Sequence, residues 1–118
     1  MTIKQKAEAE RAVRRGVRLL DSTLPDWAMK IDLRGLDMEY DATCVLGHCY
    51  GDFWTALDEL GKPGDNAWAI YHGFNAIGSS DDNRVPTPNG MYEYLALCWA
   101  PHIAKRQCKR QVKPRATA

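Results

Sequence analysis

CVLGHCYGDFWTALDELG, residues 44–61, is the stretch on which the reading of this chain turns. It holds two cysteines, a histidine and a run of aromatics, so it reads either as a metal or nucleophile site or as the packed centre of a small helical domain. Local physics favours the second. Asp41 or Thr43 offers a side-chain oxygen to cap a helix starting near Cys44, and Gly51 ends it after about two turns. Asp52 then caps FWTALDELG, which stops at Gly61 in the left-handed position that favours glycine. Phe53, Ala56, Leu57 and Leu60 stand at helical spacing and form one apolar stripe, with Trp54 offset to its flank. The expectation is helix, glycine–aspartate hinge, helix, with Cys44, Val45 or Leu46, Phe53, Leu57 and Leu60 buried.

The flanks extend the same logic. Residues 3–21 are rich in Ala, Glu, Lys and Arg, all good helix formers. Ala9, Ala12, Val13, Val17, Leu19 and Leu20 recur near helical spacing, and Arg11, Arg14, Arg15 and Arg18 fall on the polar side. Gly16 is the one weak position. Pro25 and Asp26 open a short helix to Lys30, and residues 31–38 form an ordered connection docked on the core. KPGD is a turn, and Asp65 caps NAWAIYHGF. Residues 75–90 form a long loop. In the last segment Met91, Tyr94, Leu95, Cys98 and Trp99 make a helical stripe, and Pro101 should kink or interrupt the helix after Ala100. The sum is an all-α single domain of four to five helices, spanning 1–103, with a tail at 104–118.

Length and charge bound the functional classes. The chain has 118 residues, enough for one buried core. Its 45% apolar and 26% charged content is that of a globular chain rather than a disordered one. Net charge is +1, yet residues 104–118 carry six basic side chains and no acid, which leaves about −5 on the remainder. Lys105, Arg106, Lys109 and Arg110 lead this basic segment. No run reaches the roughly 18 apolar residues of a membrane span, and the N-terminus lacks an apolar signal core. A cytoplasmic location and four reduced thiols are therefore expected.

In order, RGVRLLDSTLPDW, IDLRGLDM, CVLGHCYGDFWTALDELG and AIYHGF resemble a small protein family encoded by actinobacteriophages and actinobacterial genomes. The resemblance spans residues 12–103. It implies a phage origin, a host-cytoplasm location and a helical fold, and it carries no assigned activity. Family members often place a second cysteine before CVLG and a glutamine after it. Here Asp41 stands near that cysteine's position and His48 replaces the glutamine, so no Cys-x-x-Cys pair forms.

Sharper chemistries find thin support. Cys44 with His48, and Cys98 with His102, are four apart, and two such helices could share a zinc ion. Against this, each cysteine falls on an apolar stripe, and Pro101 should spoil the second pair. Cys49 with His72 or His48, oriented by Asp52, could make a nucleophile and base, but no spacing singles them out. The sequence therefore reads as non-enzymatic, with no cofactor or metal. Trp54, Trp68, Tyr71 and Tyr92 exceed what one small core uses, and Trp and Tyr are good interface anchors. Binding to a host or phage protein, or to a second copy, is the leading expectation. Nucleic-acid binding through the basic segment and the first helix is the alternative.

Overall fold

The computed structural model describes residues 1–79 and 86–112, with side chains given through Lys109. The domain begins with helix α1, Ile3–Thr23, closed at its start by a reciprocal cap. Thr2 Oγ1 accepts from the Gln5 amide at 3.0 Å, and Gln5 Oε1 accepts from the Thr2 amide at 2.8 Å. This capping box satisfies two amides that a helix start leaves without partners. Ala9, Ala12, Val13, Gly16, Val17 and Leu20 form its buried stripe. The helix stops before Pro25, whose ring disfavours helical geometry in the residue ahead of it. A 3-10 turn, Trp27–Lys30, then drops Trp27 fully into the core. Residues 31–38 form the docked connection expected, with Ile31 and Met38 buried around a second 3-10 turn at Leu33–Gly35.

The stretch at 44–61 folds as helix α2, Val45–Tyr50, then helix α3, Phe53–Glu59. Gly51 makes the hinge at φ +92°, and Asp52 Oδ2 accepts from the amides of Trp54 and Thr55. Two details differ from expectation. The cap of α2 is neither Asp41 nor Thr43 but the Cys44 thiol, which accepts from the Gly47 amide at 3.3 Å. Gly47 lies against the Asp41 and Ala42 backbone, so the preceding loop is packed on the helix rather than free to cap it. Leu60 is half-buried instead of buried, because it is the C-cap residue where the chain turns away. The turn is closed as expected at Gly61, by amide bonds from Gly61 to Asp58 and from Lys62 to Leu57.

Helix α4, Asn66–Tyr71, is capped by Asp65, and helix α5 runs from Met91 to Val112. Pro101 does not interrupt α5. The bond it removes would reach Leu97, and both residues face solvent, where water can serve the freed carbonyl. Five α-helices and no strand make up the described residues, so the fold is all-α. Of the expected loop, residues 75–79 and 86–90 are irregular and 80–85 lie outside the described residues.

The core is organised around two tryptophans. Trp27 and Trp99 meet edge to face at 5.6 Å, and Phe74 stacks on the other side of Trp99 at 5.6 Å. Trp99 Nε1 donates to the Gly73 carbonyl at 2.7 Å, so the buried indole has its partner. Gly16 is placed by this cluster: a Cβ there would collide with the His72 carbonyl oxygen and the Trp99 ring. Helices α1 and α5 run side by side in the same direction, since Lys6 reaches Tyr94 near their starts and Asp21 reaches Arg106 near their ends.

The expected boundary after residue 103 falls inside α5. Arg106 is not part of a free arm. It grips Asp21 through two nitrogens, at 3.0 and 2.7 Å, and its guanidinium lies 5.6 Å from the Trp27 ring. Gln107 Nε2 donates to the carbonyls of Ala28 and Ile31. Lys105 and Lys109 are exposed on the same helix; the Arg110 side chain and residues 113–118 lie outside the described residues.

Candidate protein-docking groove

An open apolar groove of about 430 Å³ lies between α1, α4, residues 75–77 and the start of α5. The side of α1 turned toward α4 carries Ala9 and Ala12, which are too short to fill the space between helices. Helix α4 has only six residues and turns sharply at Gly73, φ +71°. That turn packs on the Val13 backbone, leaving Ile70 and Tyr71 to overhang the gap. Residues 75–79 are tied to α4 through Asn66: Asn75 Nδ2 donates to Asn66 Oδ1 at 2.8 Å, and Asn66 Nδ2 donates to Ser79 Oγ at 3.3 Å. Ile77, Met91 and Leu95 complete the apolar wall, and Lys4, Gln5, Glu8 and Asn75 supply the polar rim.

One edge is stiffened by charge. The Arg15 guanidinium covers the Tyr71 ring at 3.8 Å, and its Nε donates to the Tyr71 carbonyl at 2.8 Å. The same side chain pairs with Glu8 at 2.7 Å, and Glu8 also accepts from Arg11 at 2.9 Å. Hydrogen bonds from Arg15 and then Arg11 hold the Glu8 carboxyl below its ordinary range. Arg15, expected on the solvated side of α1, is thus half-buried and fixes the rim.

The four aromatic anchors read from the sequence do not form one surface. Tyr71 lines the groove and is 57% exposed. Trp54 is 47% exposed on α3, edge-on to Phe53 and outside the groove lining. Trp68 is half-buried on the other side of α4, its ring 4.4 Å from His72 and 5.9 Å from Phe74. Tyr92 is half-buried beside Thr87, and burial raises its hydroxyl above the ordinary value. Sequence reasoning missed Ile70, Ile77 and the Ala9–Ala12 floor. The only signal was the smallness of those alanines in an otherwise bulky stripe.

Cys44, Cys49, His48 and His72 take structural partners. Cys44 Sγ contacts the Asp41 carbonyl, and burial pushes the thiol up to about 11. Cys49 Sγ donates to the Trp27 carbonyl at 3.6 Å, and burial pushes it up to about 12. Neither supplies a thiolate near neutral pH, and the thiolate is the nucleophile and metal ligand. His48 Nδ1 and His72 Nδ1 sit on the carbonyls of Cys44 and Trp68. Because α5 is unbroken, Cys98 and His102 keep their helical register, contrary to the expectation for Pro101; they line a small crevice with Glu10, Arg14 and Tyr94. Among the described residues no three His, Cys, Asp or Glu side chains converge on a point that could hold a metal ion. Nor, among them, is any helix long and apolar enough to cross a membrane.

No family model, curated protein or solved structure matches this chain.

Proposed function

We propose that this is a phage-type accessory protein of the host cytoplasm that acts by binding another protein, and that the groove between α1 and α4 is where it binds. The observation that carries the reading is the groove itself: a concave, almost wholly apolar surface with polar groups confined to its rim, bordered on one edge by the Glu8–Arg15–Tyr71 contacts. Concave apolar surface with a few convergent polar groups is where recognition concentrates. The occupant that suits it is the apolar face of an amphipathic helix, a recurring mode in which side chains at helical spacing enter a groove. Tyr71 is the anchor on this chain's side. Trp54, remote from the groove, is not part of the proposed interface.

The test is a pulldown from nuclease-treated host lysate with the full chain as bait. A defined protein should be recovered by wild type, lost with Ile70→Lys or Tyr71→Ala, and retained with Trp54→Ala. Thermal melts of each variant confirm folding. Equal recovery by all three variants would refute the groove as the site.

A second reading has its own support. Arg14 of α1 lines one crevice with Pro101 and His102 of α5, and Lys105 is exposed on that same helix. Positive charge from α1 and α5 therefore shares one side of the domain, as a nucleic-acid backbone would require. That reading demands affinity for DNA or RNA that falls steeply with salt. It also demands loss of binding in an Arg14→Glu, Lys105→Glu double variant.

A further inference from the structure

Helix α5 carries an apolar face that no other described part of the chain covers. Leu97, Pro101, Ala104 and Cys108 are all exposed, and Leu97 is 68% exposed. Their spacing of four, three and four residues puts them in one row, the pattern by which one helix meets another. None of them lines the groove. The row is short-chained at Ala104 and Cys108, so a second backbone can come close there while Leu97 supplies the bulk.

Charge says what the second helix is. At the N-terminal end of this face stand Glu93 and, from the neighbouring α1, Glu10. At the other end stand Lys105 and Lys109, both exposed, with Arg14 between the two ends. The outer ends of the face are opposite in sign, Glu93 at one and Lys109 at the other, so these ends complement each other when one copy is reversed. We infer that a second copy of this chain pairs here, α5 against α5 and antiparallel, about a two-fold axis between Pro101 and Ala104. In that register Leu97 meets Cys108 of the second copy at each end of the contact. A parallel pair would set acid on acid and base on base, and would align the helix dipoles unfavourably. A two-fold contact uses one patch twice, as the commonest oligomers do. This goes beyond the groove reading and leaves the groove open in both copies.

Sedimentation and oxidative cross-linking of the full chain test it. Wild type should show a concentration-dependent dimer. Leu97→Glu should be monomeric, and its melting temperature should match that of wild type at concentrations where wild type is also monomeric, since the side chain is exposed. In a Cys98→Ser background, Leu97→Cys should oxidise to a dimer whose peptide map joins residue 97 to Cys108. Without Leu97→Cys, a Cys108–Cys108 link should be rare. A chain still monomeric at ~1 mM, a dimer that survives Leu97→Glu, or a dominant Cys108–Cys108 link would each overturn the proposal.

Discussion

The two ends of the α1–α5 pair are built differently. At the C-terminal end Trp27 and the connection after it are covered by polar side chains with fixed partners. Trp27 donates to Asp21 at 2.8 Å, Asp21 is gripped by Arg106, and Gln107 spans two carbonyls of the connection. At the N-terminal end Ala9 and Ala12 leave space beside α1, and Ile77 and Tyr71 stay exposed around an open groove. One end spends its polar contacts on closing the core; at the other, Arg15, paired with Glu8, ties α1 to Tyr71 and fixes one edge of the groove. Stability and binding surface are thus separated along one helix pair, and substitutions at the two ends should differ in kind.

The largest effect should come from the shared core. Trp99→Ala should cost about 3–5 kcal/mol by urea denaturation, because the ring contacts Trp27 and Phe74 and its N–H serves Gly73. A loss below about 1 kcal/mol would mean that the two ends do not depend on one core. Gly16→Val should follow, at roughly 1–3 kcal/mol for an overpacked site, read in the same titration. The His72 carbonyl it would strike is backbone and has little room to yield.

The closed end should also respond to pH. Arg106, followed by the Trp27 N–H, holds the Asp21 carboxyl below its ordinary range. A lowered folded-state value means that this contribution is present above the unfolded value of about 3.9. It is lost as pH falls through the folded value. Melting temperature should therefore drop less on acidification in Asp21→Asn than in wild type. Near neutral pH that variant should cost no more than about 1 kcal/mol, since the pair is partly exposed. An identical acid response in both proteins would remove Asp21 from the closure.

The smallest effect belongs to the groove. Ile77 is 39% exposed, and Ile77→Ser should change stability by less than about 0.5 kcal/mol. The comparison is sharpest if that variant, folded as wild type by circular dichroism, loses the captured partner while Asp21→Asn keeps it.

Helix starts and stops were legible in the sequence because capping is local. Asp52, Asp65, Gly51 and Gly61 do their work within four residues of where they stand. The stripes of α1, α3 and α5 were legible for the same reason, since periodicity needs only the helix itself. Of the candidate site the sequence showed Tyr71 and little else. The groove is a gap between segments far apart in the chain, and a gap has no residues of its own.

Tertiary structure alone decided the rest, wherever one segment's role is set by what another places against it. Gly16 reads as a weak helix position until the 72–73 turn and Trp99 occupy the space of its missing side chain. Pro101 reads as a break until the helix face it damages is found turned to solvent. Arg106 reads as one charge in a basic tail until Asp21, 85 residues away, is found beside it. Local sequence determined that this chain forms capped amphipathic helices with their hinges. Which apolar surfaces close on one another, and which stay open to a partner, depends on distances between those helices that only the folded chain sets.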